Sequence, residues 1–213
     1  SMTSPEQFLK PDRSRFGADP FGYSAFAWSQ WAMLQTMAGF PVDPARNPTG
    51  IELKSPVLWM CHAHALTEAA VLVLRHEPSW ESMPGEVRGI CDSQYCGVGL
   101  MLVGYSLEVC LKAMLIIRKG GEEYAAQGKK FHHHELVELA AFVPDLSDKD
   151  KAILEILTHF IKWAGRYPDP GSGKEDKHEE IFSAAEARRV TAADLFRLAT
   201  RIMQHARKVT GAI

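Results

Sequence analysis

The most apolar part of the chain, residues 97–120 (GVGLMLVGYSLEVCLKAMLIIRKG), has the pattern of a helix that other helices surround. Its apolar residues form no single stripe. Leu107, Leu111 and Met114 fall on one side of a 3.6-residue period, and Val103, Cys110 and Ile117 on another. A helix that is apolar all round is a buried helix. Two full charges interrupt it, Glu108 and Lys112, four residues apart with the acid first, which is the favourable order for a pair. Arg118 and Lys119 before Gly120–Gly121 mark its C-terminus. Burying unpaired charge is costly, so the face around Glu108 must find polar partners on neighbouring elements.

The flanking segments supply the neighbours. Residues 1–20 carry Pro5, Pro11, Gly17 and Pro20 without periodicity and predict an extended, mobile arm. Residues 22–39 place Phe26, Met33 and Met37, and also Trp28, Trp31 and Gln35, at helical spacing, a stripe that suits a core or a dimer interface. A proline-containing loop, 40–54, leads to Ser55-Pro56, an N-cap followed by proline in the first turn. The helix it starts extends to about residue 77 and carries Cys61, His62 and His64. His62 and His64, two apart, share no helix face and so do not form a metal site. After the loop 78–84 the helical pattern resumes at Gly85 and runs into the central helix. Gly89, Gly97, Gly99 and Gly104 each cost about 1 kcal/mol against alanine. That cost marks places where another backbone comes close, or where a ligand has room.

Beyond residue 121, residues 131–143 (FHHHELVELAAFV) predict a helix with Leu136, Leu139 and Ala140 inward. His132, His133 and His134 fan around its start, with His134 turned toward the apolar side. Pro144 and Asp145 stop it. Ser147 with Asp150 begins a helix over 148–165, which Gly165 and Pro168 end, delivering Arg166 and Tyr167 at its tip. Residues 169–180 predict a polar loop in which Lys174, Lys177 and His178 are solvated. Ser183 with Glu186 and Thr191 with Asp194 are two further start signals, the second opening a final helix over 191–208. There is no strand pattern, phosphate-binding glycine loop or repeat. The fold class predicted is all-α: an antiparallel bundle of about six helices around a central buried helix at 97–119, in one domain over 21–213.

Composition adds limits. The 213 residues are 46% apolar, enough to fill one sizeable core. The net charge of −2 gives the molecule as a whole no electrostatic reason to coat nucleic acid, so any such site is a local patch. Cys61, Cys91, Cys96 and Cys110 include no Cys-x-x-Cys pair, which points to free thiols and a cytoplasmic location. No uninterrupted apolar run has the length to span a bilayer, so no membrane is expected as a partner.

Three segments in order carry a resemblance: GYSLEVCLKAMLI at 104–116, HELVEL at 134–139 and WAGRYP at 163–168. Together they resemble a bacterial HEPN domain, the higher-eukaryote and prokaryote nucleotide-binding helical bundle, over roughly residues 55–208. The resemblance implies a compact, often dimeric bundle. Many members are metal-independent ribonucleases of defence or toxin systems, and others are binding modules without activity. The ribonuclease members carry Arg, four to six residues, then His. No arginine here has a histidine at that spacing; Arg201–His205 and Arg197–His205 miss on either side. That motif therefore does not transfer, and enzymatic activity stays open.

The residues expected to form a site are Glu108, Lys112, His134, Arg166 and Tyr167. Arg166 offers a planar fork and Lys112 a point charge for a phosphate. His134 can move a proton near neutral pH. His134 and Arg166 would be the catalytic pair, and Glu108, Lys112 and Tyr167 binding residues, with no cofactor or metal. The reading is a HEPN-like protein that binds RNA or a nucleotide and forms a homodimer, with a divergent ribonuclease activity as its stronger form. The alternative is a non-catalytic module that dimerises or docks a protein partner, its polar cluster purely structural. A third reading is a small-molecule pocket over Gly104.

Overall fold

The computed structural model describes residues 9–210, and among these every regular element is helical. The chain divides into two compact units, one ending at Leu58 and one running from Trp59. The first holds α1 (Ser14–Ala18) and α2 (Pro20–Met37). Residues 14–18, expected in an extended arm, are instead helical. Asp12 accepts the Ser14 N–H at 3.1 Å and starts the turn, and Arg15 lies 4.5 Å over the Phe26 ring. The first part of the expected arm, residues 1–8, lies outside the described residues. Asp19 starts α2 by accepting the Gly22 N–H at 2.9 Å, with Pro20 in the first turn. Trp28 and Trp31 stack at 4.9 Å, and the Trp31 indole donates to Ser55 Oγ at 2.8 Å.

The second unit takes up most of α3 (Pro56–Arg75) and then α4 (Arg88–Lys119), α5 (Gly121–Ala126), α6 (Gly128–Phe131), α7 (Leu136–Leu139), α8 (Asp148–His159), α9 (Glu175–Ala187) and α10 (Ala192–Val209). Helix α4 is the predicted central helix. Its residues from Val103 to Ile116 are nearly all buried, Glu108 and Lys112 included. Helices α7, α8 and α10 pack on it, and Leu107, Leu111, Met114, Leu136, Leu157 and Ile202 share one core. Two of the predicted start signals, Ser147/Asp150 and Thr191/Asp194, form complete capping boxes at α8 and α10.

Two expectations on local structure are corrected. The helix over 131–143 is interrupted, with residues 132–135 non-helical. There the His133 ring accepts the Glu135 N–H at 3.1 Å, and Thr158 Oγ on α8 accepts the Leu136 N–H at 3.1 Å. Side chains thus satisfy donors that a continuous helix would have used, at the one stretch that must turn. Ser183 starts nothing. It lies inside α9, which begins at Glu175 with two acids in its first turn.

Two helices, α3 and the segment Gly85–Lys119, are long and apolar enough to cross a membrane by length and composition, contrary to the expectation from uninterrupted runs. Single polar residues break the runs without lowering the average much. The most apolar window of Gly85–Lys119 is two-thirds buried, as a core helix is.

Gly99 and Gly104 of α4 mark close approaches, whereas Gly89, expected to do the same, faces open space. A Cβ on Gly99 would lie 2.5 Å from Leu74 Cδ2 of α3, and one on Gly104 would lie 2.8 Å from Ile161 Cγ1. Ile161 fills the space above Gly104, so that space is packing and not a ligand pocket.

Candidate functional site

Helix α8 does not end as an α-helix. It runs into a π-helical turn, Phe160–Ala164, closed by the Gly165 N–H donating to the Phe160 carbonyl at 3.0 Å. π-Turns hold one residue more than the α-helix and occur often at functional sites. This one packs directly on α4: a Cβ on Gly165 would lie 2.3 Å from Met101 Cβ and 3.0 Å from the Gly97 carbonyl. Two sets of polar side chains adjoin it.

The first set is centred on Glu108. Lys112 Nζ lies 2.8 Å from Glu108 Oε1, both side chains being buried. His134 Nδ1 lies 2.9 Å from Oε2 and 3.1 Å from Oε1. A carboxylate only accepts, so Nδ1 carries a hydrogen and the neutral ring presents Nε2 as a bare lone pair. The His134 side chain is 51% exposed, so the ring reaches the surface. Tyr124 lies beside the same carboxylate and stacks on Phe131 at 5.0 Å. Burial, with the Glu108 charge adding to it, pushes its phenol up to about 12, so it stays neutral.

Around this core sit cations to which the sequence pattern gives no position, or gives one only by order along the chain. Lys162, in the π-turn, pairs with Glu135, the residue after His134. Arg166 donates to the Lys162 carbonyl at 3.4 Å and lies 5.1 Å over the Tyr167 ring. Glu108, Lys112 and His134 are therefore brought together, whereas Arg166 and Tyr167 pair with each other at the rim, one turn beyond Lys162. Residues 125–130 and His132 line an open depression of about 560 Å³ that includes Lys129 and Lys130. Lys162 gives no signal in the sequence because its position depends on the extra residue of the π-turn. Among the described residues no three His, Cys, Asp or Glu side chains are grouped to hold a metal ion. Cys110 is no nucleophile, because burial pushes its thiol up to about 12.

The second set is built on His159. The Trp163 indole donates to His159 Nδ1 at 2.8 Å, and His159 Nε2 faces His178 Nδ1 at 3.3 Å. His159 is held neutral to about 4 by burial first, then by the positive charge of His178 and Lys177. An unfolded imidazole takes its proton near 6.5. The unfolded chain therefore binds more protons below that value, and the stability that neutral His159 contributes is complete above about 6.5 and lost as pH falls toward about 4. Denaturant midpoints for the wild type are expected to fall through that window, and His159→Gln is expected to flatten the slope there. An unchanged slope in the variant would assign the acid sensitivity to other groups.

The fold and this site define an all-α protein with a buried carboxylate orienting a surface histidine. Compared with protein-family models, curated proteins and solved structures, the chain finds no match.

Proposed function

We propose that this is a HEPN-like cytoplasmic protein that binds RNA or a nucleotide through the face formed by His134, Lys162 and Arg166. The observation that carries the reading is the Glu108–His134 pair, in which a buried carboxylate holds Nδ1 of a histidine that is half exposed. Lys162, Arg166, Lys129 and Lys130 supply a local positive rim on a chain of net charge −2. In the ribonuclease form, His134 Nε2 takes the proton of a 2′-hydroxyl and the 2′-oxygen attacks phosphorus. The 5′-oxygen leaves with a proton from the imidazolium or water. Arg166 and Lys162 hold the phosphate where charge develops.

The test compares wild type, Arg166→Ala and His134→Ala on a labelled single-stranded RNA without metal, at two salt concentrations. Wild-type binding should weaken with salt. Arg166→Ala should cost about tenfold in affinity, as loss of a charged hydrogen bond does. His134→Ala should weaken binding less than Arg166→Ala does and, where the wild type cleaves, reduce cleavage by roughly 10²–10⁴. Absence of salt-sensitive binding, with both variants merely melting lower, would reduce the cluster to a structural role.

A specific observation supports the second reading, a module that dimerises or docks a protein. Helix α2 leaves Phe21 86% exposed and Met37 51% exposed, apolar surface that a partner would cover. Light scattering should then give a dimer mass that Phe21→Ser lowers.

A further inference from the structure

Helix α9 has no buried residue. An amphipathic helix normally docks by burying an apolar stripe. The ring contacts of α9 with α8 and the π-turn come from two side chains one turn apart, His178 and Phe182, with Ile181, Ala184 and Ala185 half-buried beside them. His178 stacks on His159 with centroids 5.6 Å apart and meets Trp163 at 4.9 Å, and Phe182 lies 6.0 Å from Phe160. The loop before it turns at Gly171 and Gly173, both with positive φ, and carries no core residue.

The hydrogen-bond chain through this contact has only one consistent assignment. The Trp163 indole can only donate, so His159 Nδ1 must accept. In the neutral ring the hydrogen is then on Nε2, which donates to His178 Nδ1. His178 must keep Nδ1 bare to receive it. A proton on His178 Nδ1 would put two donors face to face at 3.3 Å. Turning His159 over would relieve that clash only by leaving the buried Trp163 N–H without an acceptor, which is costly.

We infer that the His159–His178 contact is an acid-released latch: protonation of His178 breaks its hydrogen bond to His159 and lets α9, with the loop before it, leave α8. The charged groups facing the contact reinforce this. Lys177 acts on His159 from α9. Lys174 and Glu175 precede His178 by about one turn on the same helix. His178 lies in the first turns of α9, where a cation is unfavourable. Toward the π-turn, α4 presents the uncharged Gly97, Met101 and Gly104, and α7 the Leu136 N–H taken by Thr158, while the charge of the turn itself, Lys162, is paired with Glu135. Burial holds His159 neutral, so the proton that breaks the contact comes to the ring on the detachable helix. The loop that would be freed starts just after Arg166–Tyr167, so acid would also loosen the rim of the face described above. The latch does not depend on that face binding RNA.

The test is amide hydrogen exchange of residues 175–187 in the full chain at about pH 8 and about pH 5, either side of the imidazole range, corrected for intrinsic exchange. In the wild type, opening of α9 should rise roughly tenfold in acid, the scale of one broken hydrogen bond, while α4 is unchanged. His178→Gln keeps an acceptor for His159 and cannot titrate, so it should make α9 exchange independent of pH. His178→Ala should leave α9 open at both values. Acid exchange that is unchanged, or slower as capture of a cation by Trp163 would make it, overturns the latch. So does an equal acid response in His178→Gln.

Discussion

Glu108→Ala is expected to lower the unfolding free energy by about 3–5 kcal/mol, the range for breaking a buried pair on one side. The main cause is the unpaired positive charge that the substitution leaves in the core. Lys112 Nζ sits 2.8 Å from Glu108 with its side chain about as buried. His134 loses its anchor at the same time, so its ring should become mobile. The control is the double variant Glu108→Leu with Lys112→Met, which removes both charges and keeps the volume. It should recover most of the stability and none of the His134 ordering. Urea midpoints give the first quantity and imidazole nitrogen spectra the second. A single-variant loss below about 1 kcal/mol would place the pair with exposed ion pairs, and water would have to reach it.

The second large effect is expected at Gly165. Gly165→Ala puts a methyl group 2.3 Å from Met101 Cβ and 3.0 Å from the Gly97 carbonyl. Neither neighbour is a flexible chain end, so the π-turn and α4 must separate. The cost should be roughly 1–3 kcal/mol, toward the upper end. Gly89→Ala is the matched control. No atom stands within 4 Å of its added methyl, and alanine favours the helix, so it should be neutral or stabilising. Equal melting temperatures for the two variants would show that the crossing tolerates expansion.

The long elements were legible because each rests on local chemistry. The all-round apolarity of 97–119 and the capping residues Ser147 and Thr191 fix where helices lie regardless of tertiary contacts. The Glu108–Lys112 pair was legible from spacing, whereas His134, expected on the inward face of a helix, reaches Glu108 from a non-helical turn and stays half exposed. What escaped the sequence depends on contacts between distant residues. The break at 132–135 is decided by Thr158, which comes from another helix. Residues 175–180 read as part of a solvated loop because their charge density hides a docking contact made by an imidazole, a group that counts as polar in any pattern. Lys162 escaped for a third reason: the periodicity used to assign faces is 3.6 residues, and the chain departs from it at 160–164.

That departure has a consequence for the lineage of the site. A π-turn is an α-helix that has accepted one additional residue, and each residue turns an α-helix by about 100°. Everything after residue 164 is therefore rotated by that angle relative to a version of the helix without the insertion. Deleting one residue in 160–164 would restore the regular helix and carry Arg166, Tyr167 and the root of the following loop around to another side. A sequence that aligns with this one except for a single gap there would share its core yet present a different surface beside His134. A one-residue gap would then record the gain or loss of this rim, without any change at the rim residues themselves.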